Sequence, residues 1–159
     1  MRGKLAAAGA SPTTLAFIHF GCTSEDINNL AYAMMLRDAR DRILIPSMMG
    51  LIDDLTRKAE RYADMAMLAK THGQTATPTT VGKEMAIFAH RLLRHSNNLI
   101  GLVLDGKMNG AVGNFNAHLA GFPNIDWKGV SQRFIEQRLG FKMNPLTTQI
   151  ESHDSLVEF

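Results

Sequence analysis

The chain holds a single cysteine, Cys22. That excludes an internal disulfide framework and leaves no cysteine cluster to bind a metal. A reducing, cytoplasmic setting is expected. Charge of one sign is scarce too. The formal net charge is +2, and basic residues alternate with acidic ones, so nucleic acid is not expected as a partner. No apolar run reaches the roughly 18 residues of a membrane span, so a membrane partner is not expected either. The opening MRGKLAAAGASPTT lacks the apolar h-region of a signal peptide. Residues 1–16 are expected to form a loop or a frayed start. No internal repeat or low-complexity segment is present, and strand-like alternation is weak everywhere.

What is abundant is helical periodicity. The 159 residues are 45% hydrophobic, enough for one sizeable core. Val81, Met85, Phe88, Leu92, His95, Leu99 and Leu102 follow one another in alternating steps of four and three. Such steps mark the seam of a bundle helix, with His95 its only polar member. A second run joins Met48, Leu51, Leu55, Ala59, Tyr62 and Ala66, with Pro46 suited to a first turn. A third begins near Thr23 and carries Ile27, Leu30, Ala31 and Met34. A shorter helix is expected from about Asp126 to Leu139, stopped by Gly140. HDSLVEF reads as the first turns of another helix, which suggests a piece of something longer. The expected fold is all-α, a long antiparallel helical bundle. Two helices are expected to exceed 20 residues, and ten methionines suggest packing against other subunits.

The chemistry lies in the polar connections. In CTSED, Thr23 and Asp26 match a capping box, with Ser24 as an alternative N-cap. The same hydroxyls and free N–H groups could instead hold an anion. In KTHGQTATPTT, Thr77 and Pro78 read as the N-cap and first turn of the long helix. His72 is then either a proton-transfer group presented by a loop or a histidine satisfied by local backbone. Gly73 permits backbone that other residues avoid. GKMNGAVGNFNAH lacks the lysine–hydroxyl pair of a phosphate loop. His90 and His95 read as packing or surface residues. His118 and His153 are not spaced for zinc, and Lys83–Glu84 reads as a solvated pair. No Ser-His-Asp triad can be argued.

Together, FIHFGCTSEDINNLAYAMMLRDAR, KTHGQTATPTTVGKEM, GKMNGAVGNFNAH and NPLTTQIESHD resemble, in order and spacing, the bacterial-type adenylosuccinate lyases of the fumarase/aspartase superfamily. The resemblance covers about residues 17 to 159. It implies an anti β-elimination that releases fumarate from a succinylated purine nucleotide, with no cofactor and no metal. A base takes a proton from the carbon beside a carboxylate, an acid protonates the departing nitrogen, and donors hold the developing charge. By resemblance His72 is the general acid. Thr71, Thr23, Ser24 and Gln149 bind substrate, and His19 lies near it.

One departure stands out. The family's Ser-Ser-x-Met-Pro-type loop, whose serine is the proposed base, is not found in residues 1–159. The resemblance therefore implies one partial domain, the central helical portion of a longer enzyme, inactive alone. It further implies a homotetramer whose active sites are shared between subunits. The alternatives are a non-catalytic helical scaffold for oligomerisation, or a superfamily lyase acting on another succinyl substrate.

Overall fold

The computed structural model describes residues 1–159. In chain order the elements are α1 (Arg2–Ala7), α2 (Pro12–Ala16), α3 (Ser24–Ala39), α4 (Ile45–Arg61), β1 (Ala66–Thr71), β2 (Gln74–Thr80), α5 (Val81–Gly101), β3 (Asp105–Gly106), α6 (Asn116–Gly121), α7 (Trp127–Gln132), β4 (Lys142–Met143) and α8 (Asp154–Glu158). None of the helices is long and apolar enough to cross a membrane. The chain divides into two compact units, Met1–Met35 with Val103–Phe159, and Leu36–Leu102.

Helix dominates, but the fold is not plainly all-α. Residues 1–16, expected as a loop or a frayed start, carry α1 and α2. Pro12 sits in the first turn of α2, and Ser11 caps it by accepting from the Thr14 amide at 3.1 Å. From Ser24 to Arg61 the backbone stays helical through a π-helical stretch, Arg40–Leu44. Pro46 follows that stretch. A proline cannot donate to the carbonyl four residues back and its ring crowds it, and the wider π turn relieves both. Pro46 thus marks a change of helix type within one continuous helix.

In the unit Leu36–Leu102, Met48 meets Ser96 and Ala59 meets Gly82, so α4 and α5 run antiparallel. The buried residues of α5 are Gly82, Ala89 and Ser96. They repeat every seven residues, one position from the expected Phe88 and His95. Phe88 is 53% exposed. Small residues form the inner line because the helices approach closely there. A Cβ on Gly82 would lie 2.3 Å from the Ala59 carbonyl oxygen. The Gly82 amide donates to the Tyr62 carbonyl at 2.9 Å, which satisfies one free donor of the helix start. Gly82→Ala is therefore expected to lower stability by about 1–3 kcal/mol through overpacking. The midpoint of chemical unfolding checks this, and an unchanged midpoint would mean the helices part freely.

The expected helix start at Thr77 and Pro78 is corrected. Both lie in β2, and α4 ends at Arg61, short of Ala66. The N-cap of α5 is Thr80, whose hydroxyl accepts from the Lys83 amide at 3.1 Å. β1 and β2 form an antiparallel hairpin with Thr71 opposite Gln74 and Leu68 opposite Pro78. Threonine favours extended backbone, and Pro78 is tolerated because a two-stranded ribbon has only edges.

In the other unit, β3 and β4 pair in parallel, Asp105 with Lys142 and Gly106 with Met143. Leu30, Leu104, Ile135, Phe141 and Met143 are buried. Phe17, Phe20, Phe122 and Trp127 form an aromatic cluster, with the His118 ring 5.0 Å from Trp127. Burial pushes the His118 imidazole below its ordinary pKa, while Asp26 pulls it the other way. The expected helix after Asp126 is present. Asp126 caps α7 by accepting from the Gly129 amide, and a π-helical stretch to Leu139 ends at Gly140 with φ 74°. HDSLVEF does form a helix, α8.

Candidate active site

The residues singled out from sequence fall into two groups, one in each unit. Thr23, Ser24, His19 and Gln149 lie in the unit formed by both ends of the chain. Thr71 and His72 lie in the hairpin of the other.

Thr23 immediately precedes α3. Its amide donates to Asp26 Oδ2 at 2.8 Å, one arm of the expected capping box. Its hydroxyl oxygen accepts from Gln149 Nε2 at 3.4 Å. Two predicted substrate-binding residues 126 positions apart thus meet at the start of a helix. Ser24, the first residue of α3, is exposed, as are Gln149 and His19. A helix start with an exposed serine hydroxyl suits a carboxylate.

Acids in the first turn oppose such an anion. Asp26 is fully buried, and its charge is met by Lys107 Nζ at 2.8 Å from Oδ1. Glu25 faces His153, whose Nε2 lies 3.6 Å from Glu25 Oε1. His153 Nδ1 lies 3.5 Å from Glu151 Oε2, and the His153 amide donates to the same oxygen at 2.6 Å. Glu151 also accepts from Asn144 Nδ2 at 3.0 Å. This buried carboxylate ties down the segment that carries Gln149. Thr147, Thr148, Glu151, Ser152 and His153 help line an open cleft of about 550 Å³ beside it.

His72 and Gly73 are the two central residues of the hairpin turn, with φ 50° and 75°. Positive φ at both is what a two-residue type I′ turn needs. The turn projects an exposed imidazole from a strand end fixed by the Thr71–Gln74 pairing. The non-glycine residues with positive φ are His19, His72, Phe115 and His153. Three are histidines, and two of those were predicted site residues. Such backbone is held in place only by its surroundings, and it concentrates at functional sites.

Sequence reasoning missed Lys107, Asn29 and Glu151, and it read Asp26 only as a cap. No local spacing exposes Lys107, Asn29 or the wider role of Asp26, because they work with partners distant in the chain, whereas Glu151 works with Asn144, Ser152 and His153. The asparagine and lysine of GKMNG, flanked by glycines, are the only local hint.

The family model described as "Lyase" matches residues 3–159. The chain is 54% identical over 143 residues to the adenylosuccinate lyase of Haemophilus influenzae, covering 90% of this chain and 31% of that protein. It is 51% identical over 142 residues to the Escherichia coli adenylosuccinate lyase, covering 89% and 31%. With the Buchnera aphidicola enzyme of the same name it shares 46% over 159 residues, covering 100% and 35%. The chain thus spans about a third of the length of the curated relatives it matches. Among solved structures, 3-carboxy-cis,cis-muconate lactonizing enzyme from Pseudomonas putida matches with a TM-score of 0.73 at 28% identity, over 98% of this chain and 34% of that one.

Proposed function

The chain belongs to the lyase family, and from that premise we propose that it is the central helical portion of an adenylosuccinate lyase. The observation that carries this reading is the Thr23–Gln149 contact at the start of α3. It joins two residues assigned to the substrate by resemblance, and the Lys107-neutralised helix start suits a succinyl carboxylate.

The reaction breaks the bond between a succinyl carbon and nitrogen. A base outside residues 1–159 removes the proton beside the carboxylate. The electron pair of the C–H bond becomes the fumarate double bond, and that of the C–N bond leaves with nitrogen. His72 supplies the proton to that nitrogen. Thr71 steadies the substrate beside it. Thr23, Ser24 and Gln149 hold a carboxylate, with His19 nearby. The substrates are adenylosuccinate, which gives AMP, and the succinylated aminoimidazole carboxamide ribotide.

The enzyme is a cytoplasmic homotetramer with shared active sites. In favour of association between subunits, the long helices leave apolar residues uncovered, including Met35 on α3 at 65% exposure and Phe88 on α5 at 53%.

The test follows fumarate release by absorbance. Full-length enzyme carrying this chain is expected to cleave both substrates, and residues 1–159 alone neither. Release from a different succinyl compound only would assign another lyase of the family. Near-full rates from residues 1–159 would show that no outside base is needed.

A further inference from the structure

We propose that Lys107 is a positioning residue for the substrate-binding pair Thr23 and Gln149. The proposal rests on the reading above that this pair holds substrate.

Lys107 is fully buried. Its Nζ lies 2.8 Å from Asp26 Oδ1 and donates to the Gly110 carbonyl at 3.0 Å and the Gln149 carbonyl at 2.8 Å. An ammonium has three donors, and all three are engaged. One contact reaches Gln149 directly. Another reaches Thr23 through a single carboxylate, since Asp26 Oδ2 accepts from the Thr23 amide. Asp26 also accepts from the Asn109 and Gly110 amides. The lysine's own backbone is clamped on both sides by Asn29. Asn29 Oδ1 accepts from the Lys107 amide at 2.9 Å, and Nδ2 donates to its carbonyl at 3.0 Å. One buried charge therefore fixes the backbone of both residues whose side chains meet at the surface.

Stability alone is a poor reason for such a pair. A buried ion pair is often no better than apolar residues of the same volume. What it supplies is geometry, with directed bonds to two segments far apart in the chain. It also cancels the carboxylate of Asp26 at a helix start meant to receive an anion.

The test uses full-length enzyme and adenylosuccinate, comparing Lys107→Met, the pair Thr23→Val with Gln149→Met, and all three together. Lys107→Met is expected to raise KM about tenfold or more, the scale of one lost charge-assisted hydrogen bond, with kcat changed less than about threefold. In the Thr23→Val, Gln149→Met background it is expected to add less than about twofold, since nothing remains to position. A lysine with a merely structural role would multiply its effect in that background, and this outcome overturns the proposal. A raised KM in the paired variant beside an unchanged KM in Lys107→Met overturns the positioning role alone. An unchanged KM in the paired variant overturns the substrate reading, and the proposal with it. Lys107→Gln, which keeps a donor, serves as the second variant if Lys107→Met does not fold. Loss of folded enzyme in both assigns Lys107 to the core and overturns the proposal.

Discussion

His72→Asn in full-length enzyme is expected to lower kcat by about 10²–10⁴-fold, the usual contribution of a positioned general acid. Asparagine is the informative replacement. It tolerates positive φ, and Asn-Gly is a favoured pair for a type I′ turn. The hairpin should therefore keep its shape while the proton donor is lost. His72 is exposed and sits at φ 50°, so the folded core is untouched and the thermal midpoint should hold. Activity is read as initial rate of fumarate release, with assembly followed by light scattering. An unchanged kcat would remove His72 from the reaction. A fall in kcat together with loss of assembly would show that the turn, not the imidazole, matters.

Asp26→Ala is expected to destabilise the protein by about 3–5 kcal/mol, the cost of breaking a buried ion pair from one side. The substitution leaves Lys107 charged in a fully buried site. It also strips the acceptor from the amides of Thr23, Asn109 and Gly110. Whole domains are held by only about 5–15 kcal/mol, so the loss is a large share of the total. Denaturant unfolding measures it. A loss under about 0.5 kcal/mol, the range of ordinary surface changes, would mean that the ammonium finds another partner.

Helix existence was readable because packing against a core repeats at the helical period. The start of α3, the stop at Gly140 and the length of α5 follow from caps and apolar steps. The inner line of α5 was missed by one residue. Periodicity weighs large apolar side chains, whereas close helix contact selects small ones such as Gly82, Ala89 and Ser96. The hairpin was missed because its threonines and Pro78 also suit a helix start. The local signal was His72-Gly73 as a two-residue turn ahead of a threonine-rich run, and it was weak because β1, AMLAKT, holds a single β-branched residue. At the site, the roles of Thr23, His72 and Gln149 came from resemblance, and the contact of Thr23 with Gln149 had no counterpart in the sequence. Lys107 left only the faint hint of its glycine-flanked GKMNG. A buried lysine looks like any other until its three acceptors, drawn from residues 26, 110 and 149, are in place.

The two groups of site residues differ in how much chain must be gathered to make them. The turn that presents His72 is closed by its immediate neighbours, Thr71 and Gln74. The grip of Thr23 and Gln149 exists only once a far longer stretch has come back on itself. Loop-closure entropy grows slowly with length, about 0.6 kcal/mol per doubling, so the distance is thermodynamically affordable. It still makes the grip a non-local structure, of the kind that forms slowly as a chain folds. The imidazole's perch is a local product of the sequence, whereas the carboxylate grip belongs to the completed fold.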